Sequence, residues 1–412
     1  MTTDPTSDDR ASVLIAGGGI AGLEAMMAIR DLAGERVTIT LVAPDPDFVY
    51  KPLIVEEPFS SQPAEQHALA PIASEFDAEF TQQGVAEVRP EHHSVELADG
   101  SSLDYDKLIL CIGARPRPAF ADAVPLRTDG TVLPIDSLLR ETESSESGVI
   151  AFVIPPGRTW PLPVYELALM AQRRVRELGL QNVECCVVTP EESPLIVFGR
   201  TASDAVTSLL VARGIAIRTG LRVKEAASGE LVLSPEDERM EVGQMVSLPV
   251  LEGPNLVGIP ADEEGFIPID DHARVRGVEH VYAAGDGTNF PIKHGGIGTE
   301  EADAAAEHIA ASLGAKVDPQ PFRPVIRGKL LTGDESLHMQ HAVAGGGGEG
   351  TASPDYLWWP PRKVAGRYLS AFLGQQAAGE LEPPARSIDV EVSLPKEWHK
   401  NPMALDPLSP LS

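Results

Sequence analysis

The stretch Ser12-Val13-Leu14-Ile15-Ala16-Gly17-Gly18-Gly19-Ile20-Ala21-Gly22-Leu23-Glu24-Ala25 decides the fold of this chain. Its first five residues are small or apolar and predict a short buried strand. Gly17, Gly19 and Gly22 then stand at G-x-G-x-x-G spacing, and a segment rich in helix formers follows over 23–32. Each glycine has its own physical task. The first makes the tight turn from strand to helix, the second lets a pyrophosphate approach the backbone, and the third lets helix and strand pack closely. The helix start at Ile20 and Ala21 offers free N–H groups to the phosphates. A glycine-rich turn without a ligand is the plainer alternative. The strand–turn–helix context favours a dinucleotide site.

Outward from this turn, a strand at 37–42 completes a βαβ unit. A loop over 47–53 carries Lys51. Residues 95–105 look like a hairpin around Asp99-Gly100. A buried strand from Lys107 runs into a second glycine turn at Gly113. Another βαβ unit follows, with strands at 148–154 and 183–189 around a helix at 164–178. A helix at 202–213 leads to a strand at 215–218. The chain returns through Val281-Tyr282-Ala283-Ala284-Gly285-Asp286 to a long helix at 295–313. After Pro319 the composition changes. Residues 344–350 read as a glycine-rich linker. Trp358-Trp359-Pro360-Pro361 precedes an expected helix at 362–373, and the tail from Glu380 is Pro-rich and irregular.

With 412 residues the chain has room for two or three domains. A formal net charge of -28 argues against general nucleic-acid binding and against broad attachment to anionic lipid. The polar, acidic start, residues 1–9, carries no secretory signal, which points to the cytoplasm. The longest nearly apolar stretch, 11–29, contains the glycine turn and Glu24 and reads as strand and helix, not as a membrane span. Of the three cysteines, Cys185 and Cys186 are adjacent in a strand and should point to opposite faces. A buried structural role suits them and a reducing compartment. His92-His93 has no metal-ligand spacing around it.

Three segments together carry a resemblance: Gly17–Gly22, Cys111–Pro116 and Val281–Asp286. The chain resembles the two-dinucleotide-binding-domain flavoproteins of the pyridine nucleotide-disulfide oxidoreductase superfamily over roughly residues 10 to 330. The resemblance implies an α/β fold of two Rossmann-like three-layer domains, the second inserted in the first, with a C-terminal α+β region. The expected divisions are 10–140 and 263–325 for the FAD-binding domain, 141–262 for the inserted one, and 326–412 for the C-terminal region. It implies non-covalent FAD held by Gly17, Gly19, Ile20, Ala21, Gly22, Lys51, Gly113, Asp286, Lys293 and Gly295, with the Asp286 carboxylate on the ribityl chain. Pro291-Ile292-Lys293-His294-Gly295-Gly296 is similar to the segment before the flavin-facing helix of sulfide:quinone oxidoreductases and flavocytochrome c sulfide dehydrogenases. Type II NADH dehydrogenases are more distant relatives. On that likeness Lys293 and a helix N-terminus would stabilise negative charge on the flavin.

The chain departs from the pattern in three places. Ala43 stands where many such flavoproteins have an acidic residue for the adenosine ribose, and Asp45 is the nearby substitute. The inserted domain has Thr159, Pro161 and Val164 at its fingerprint positions, so ordinary nicotinamide binding is weakened, and Arg158 is the remaining phosphate candidate. The sulfide-oxidising relatives use two cysteines beside the flavin. Here Trp160, Pro161 and Pro163 occupy that loop, and no cysteine follows Cys186. Glu166 matches a position near the flavin and quinone of related reductases, where a carboxyl relays a proton; its alternative is a glutamate favoured at a helix start. Trp160 reads as an aromatic wall for a quinone or as filling between domains. His294 is an acid–base candidate. Glu300 and Glu301 replace glutamines that face the quinone in the NADH dehydrogenases. Val364, Tyr368 and Phe372 with Arg362, Lys363 and Arg367 suggest a basic-flanked amphipathic helix, docked on the core or at the inner face of a membrane. The expectation is thus an FAD-dependent oxidoreductase, with Glu166, Lys293 and Trp160 at its catalytic centre and a quinone or similar small acceptor. The alternatives are an NAD(P)H dehydrogenase and a non-catalytic FAD-binding partner protein.

Overall fold

The computed structural model describes residues 10–60, 62–128, 131–227, 229–342 and 349–377. In chain order, β1 (Ala11–Ala16), α1 (Ile20–Ala33), β2 (Val37–Ala43), β3 (Ala78–Gln82) and β4 (Lys107–Leu110) build most of a first sheet. A second sheet follows from β5 (Val124–Pro125), β6 (Val149–Val153), α2 (Leu162–Leu178), β7 (Glu184–Val188), α3 (Arg200–Arg213), β8 (Ala216–Arg218) and β9 (Gln244–Ser247). The chain then returns with β10 (Val281–Ala283) and α4 (Gly295–Ser312). It ends in β11 (Val325–Leu330), β12 (Leu337–Ala342), β13 (Thr351–Ser353) and α5 (Leu369–Ala377).

The first sheet has the order β10-β4-β1-β2-β3, all parallel. Its last strand arrives only after the second sheet is complete. The Rossmann-like unit β5-β9-β6-β7-β8, also all parallel, is therefore inserted in the first. Parallel strands covered on both faces read as continuous apolar runs. Val13, Leu14, Ile15 and Ala16 of β1 are accordingly at most 1% exposed. Cys185 and Cys186 lie buried on opposite faces of β7, each in a different apolar cluster. The expected helices at 20–32, 164–178, 202–213 and 295–313 all form, within two residues at each end. So does the hairpin of Ser94–Leu97 and Ser102–Asp104, with Gly100 at φ +84° in its turn.

Helix α1 is buried nearly all round, from Ala21 to Ile29, which marks an internal helix. Glu24 sits inside it, fully buried, and its carboxylate accepts the Tyr368 and Leu369 N–H groups at 2.8 Å each. That cap starts α5 seven residues later than the expected helix at 362–373. Residues 362–368 are instead pinned one by one. Arg362 pairs with Glu65 at 2.7 Å, Lys363 with Glu166 at 2.6 Å and Arg367 with Glu307 at 3.6 Å, while the Val364 N–H donates to the Tyr50 hydroxyl. Val364, Tyr368 and Phe372 thus share no helix face, and these residues build no basic-flanked amphipathic helix. Among the described residues no helix is long and apolar enough to cross a membrane. The expected linker at 344–350 lies largely outside the described residues. Residues 1–9 and the tail from Glu380 lie wholly outside them.

Candidate functional site

The carboxyl ends of β1, β2, β4 and β10 share one edge of the first sheet. The strand order turns outward in opposite directions from the β1–β4 pair, and ligands bind at such a crevice. A cleft of about 410 Å³ opens there, lined among others by Gly17, Gly19, Ala43, Lys51, Gly113 and Arg115. The glycines divide their tasks as the spacing demands. Gly17 adopts φ +116°, and a Cβ on it would lie 2.2 Å from the Cys111 carbonyl oxygen. A Cβ on Gly22 would lie 1.8 Å from the Gly17 oxygen, so only glycine lets α1 close on the turn. A Cβ on Gly19 meets nothing within 4 Å. The backbone is bare there because the space in front of it is open. Ile20 and Ala21 begin α1 beside that space, with N–H groups that lack intrahelical partners. Asp45 also lines the cleft, where Ala43 offers no ribose acceptor. The Cys111 thiol is buried, and desolvation pushes its pKa up, which suits packing.

Asp286 follows β10 on the same edge. Its neighbours fit without slack: a Cβ on Gly287 would lie 2.9 Å from the Gly113 oxygen, and one on Gly298 of α4 would lie 2.9 Å from the Gly285 Cα. Among the described residues the Asp286 carboxylate has no hydrogen-bond partner. Burial raises its pKa, against the opposing pull of Lys293 and Lys51. Lys293 is 4% exposed, and its ammonium is turned inward. Nζ donates to the Thr288 carbonyl and lies 3.9 Å from the Phe266 ring centroid. Burial, with Arg158 nearby, lowers it to about 7. The Lys293 side chain thus borders Asp286. Gly295, which opens α4, fits closely between Ile20 and Val364, whose side chains a Cβ would meet at 3.2 and 2.9 Å.

His294 caps α4. Its Nδ1 accepts the Gly296 N–H at 3.2 Å, and its ring lies 4.7 Å from Trp160. Burial and nearby cations lower its pKa to about 4. The imidazole is thus neutral, a cap and not a ready acid. Glu300 accepts the Val325 N–H and pairs with Arg327 at 3.1 Å. Glu301 bonds to Gly285 and Thr288. Neither glutamate is turned to a ligand.

The loop ahead of α2 differs from a phosphate cradle in every respect the proline pattern announces. Pro161 caps the helix, and Leu162, Val164, Tyr165 and Glu166 of the first turn are at most 2% exposed. The helix start faces protein. Arg158, the phosphate candidate, is already engaged. Its Nε donates to Glu264 at 2.6 Å, Nη1 to the Asn289 carbonyl at 3.0 Å, and Nη2 approaches Asp262 at 3.7 Å. Trp160 packs between Phe198 and His294 and is partly exposed. Glu166 is fully buried, with Oε1 accepting the Leu331 N–H at 2.9 Å and Oε2 accepting Lys363 Nζ at 2.6 Å. Burial raises its pKa against the pull of Lys363. Both of its oxygens are thus engaged inside the protein.

Sequence reasoning missed Arg115 and Leu256 in the cleft wall, and Tyr50 and Lys363 behind it. Arg115 was within reach, two residues past the Gly113 turn. Lys363 was not, because its partner lies 197 residues away.

The family model described as pyridine nucleotide-disulphide oxidoreductase matches residues 5–147 and 165–308. Sulfide-quinone reductase of Aquifex aeolicus is 23% identical over 61% of this chain and 61% of its own length. Rhodocoxin reductase of Rhodococcus erythropolis is 27% identical over 68% of this chain and 66% of its own. The chain thus spans just under two thirds of the length of either. Demethylphylloquinone reductase NdbB of Synechocystis is 23% identical over 77% of this chain and 82% of its own length. Among solved structures, the sulfide:quinone oxidoreductase of Aquifex aeolicus superposes with a TM-score of 0.74 at 19% identity, covering 83% of this chain and 86% of that one.

Proposed function

Since the chain belongs to the pyridine nucleotide-disulphide oxidoreductase family, we propose that it is an FAD-dependent oxidoreductase whose non-covalent flavin passes electrons to a quinone or similar small acceptor. One observation carries this reading. An open cleft runs from the bare backbone at Gly19 past Lys51 and Gly113, beside an Asp286 carboxylate with no hydrogen-bond partner among the described residues. Asp286 is half-buried, so its carboxylate is open to donors from a ligand, and ribityl hydroxyls supply them.

When bound, FAD supplies the two-electron redox chemistry. The chain's own residues do the rest. Gly17, Gly19 and Gly22 admit the pyrophosphate to the N–H groups of Ile20 and Ala21. Asp45 takes the adenosine ribose that Ala43 does not hold. Lys51, Gly113 and Gly295 border the flavin half, and Asp286 orients its ribityl chain. Lys293 adds positive potential from behind Asp286. Trp160 walls the acceptor side. Glu166, with Lys363, holds a proton close to Val364 and the first turn of α4. We assign 10–140 and 263–325 to the cofactor domain and 141–262 to the inserted domain, with β5 (Val124–Pro125) of the first segment already joining the inserted domain's sheet, and the residues from 326 to a C-terminal region. A cytoplasmic protein working at the inner face of the membrane suits a quinone acceptor. The engaged Arg158 and the buried start of α2 speak against a nicotinamide donor.

The test uses the full chain. It should purify yellow and release FAD on denaturation. After anaerobic chemical reduction, a short-chain benzoquinone should restore the visible flavin band. A colourless protein that takes up no FAD overturns the flavin reading. A bound flavin that no quinone reoxidises favours a non-catalytic FAD-binding protein. An E166Q variant with unchanged quinone turnover and pH profile removes the proton role of Glu166.

A further inference from the structure

The turn that presents Asp286 is held from behind by a buried glutamate of α4. Glu301 lies in the second turn of α4 and is fully buried. Its Oε2 accepts the Gly285 N–H at 2.6 Å and its Oε1 accepts the Thr288 hydroxyl at 2.9 Å. The Thr288 N–H closes on the Gly285 carbonyl at 3.0 Å, and the Thr288 carbonyl accepts Lys293 Nζ. The same helix presses Gly298 against Gly285. The polar groups at both ends of the turn, at Gly285 and Thr288, are thus satisfied inside the protein. The Asp286 carboxylate, between them, is not.

We propose that Glu301 is the positioning residue for Asp286. By clamping Gly285 and Thr288 it fixes the turn so that the Asp286 carboxylate faces the ribityl chain. The assignment rests on the flavin reading above. Burial pushes the Glu301 pKa up to about 8, opposed by its two hydrogen bonds and by the pull of Lys293. Glu300, one residue away, serves a different purpose: its bonds run to Val325 and Arg327 of β11. Glu301 acts only through the turn, so removing it should hurt cofactor binding only while Asp286 is there to be positioned.

The experiment titrates the full-length apo chain with FAD and records its apo melting temperature. Wild type is compared with E301Q, E301L, D286A and D286A/E301L. The E301Q amide still accepts from Gly285 and donates to Thr288, so its affinity should stay within about threefold of wild type. E301L should lose about tenfold or more, as for a hydrogen-bonded anchor left unmade. The double variant should bind no more weakly than D286A alone, because the two side chains act as a unit. T288V, a smaller change to the same clamp, should weaken FAD and also add nothing to D286A; it decides the matter if E301L does not fold. Wild-type affinity in E301L or T288V, or losses that multiply in the double variant, overturns the assignment alone. A wild-type chain that takes up no FAD overturns the flavin reading and this assignment with it.

Discussion

At the scale of single residues, the site is built from groups whose ordinary chemistry burial has changed. His294 is the clearest. As the cap of α4 it must keep Nδ1 unprotonated, and burial lowers its pKa to about 4. The folded state then binds fewer protons than the unfolded one between about pH 4 and 6.5. Stability is therefore fully present above about pH 6.5 and is lost as pH falls towards 4, by up to about 3 kcal/mol. Denaturant unfolding of wild type and H294N from pH 4.5 to 7.5 should show this slope in the wild type and a flatter one in H294N, whose amide still caps. Glu166 and Lys363 form the second case. Removing one partner of a buried pair leaves the other uncompensated. K363M should destabilise by about 3 kcal/mol, and adding E166Q should recover most of it. A double variant no better than K363M would show that the pair is not coupled.

At the scale of elements, two strand–turn–helix units of like plan have opposite helix starts. In the first, Gly22 lets α1 touch the Gly17 carbonyl, and the helix start opens on the cleft. G22A places a methyl where the Gly17 oxygen lies, so α1 must move. Loss of bound flavin is the expected result, and a G22A protein that purifies with a full complement would contradict it. In the second, Pro161 and buried side chains close the start of α2, and Arg158 is spent on Glu264 and the Asn289 carbonyl. Anaerobic NADH or NADPH should therefore fail to bleach the flavin on a catalytic timescale. Rapid bleaching would show that nicotinamide binds without a phosphate cradle.

At the scale of the whole molecule, the C-terminal segment ties the parts together. Within eight residues it bonds to Glu65, Glu166, Tyr50, Glu307 and Glu24, which lie on the loops after β2, on α2, on α4 and on α1. The site therefore depends on residues far apart in sequence being docked at once. The charge of the whole acts against that docking. With 61 acidic and 33 basic residues the surface repels itself. Raising salt from about 0.05 to about 0.5 M shortens the Debye length to a few ångströms and should raise the melting temperature by a few degrees. A melting temperature unmoved by salt would mean that the acidic charge is already balanced locally.

Local pattern was enough for much of this protein. The strand–glycine–helix spacing at 12–32 and the apolar periods of the later elements set strand and helix positions, because those signals come from neighbours a few residues apart. The missing second fingerprint was equally legible, since proline removes its N–H group whatever surrounds it. The direction of the polar side chains was not. Glu166, Arg158, Lys293 and Glu301 each looked like a solvated or ligand-facing charge, Glu24 only like a break in an apolar stretch, and each is turned to a partner inside the protein. The cap on Glu24 also stopped the helix expected at 362–373 from starting before Leu369. Those choices depend on which distant donors and acceptors the fold brings within about 3 Å, and burial without a partner costs too much for any other outcome. Sequence spacing alone determined the elements and the open glycine turn at Gly17–Gly22; only the tertiary structure decided which charges remain for a ligand.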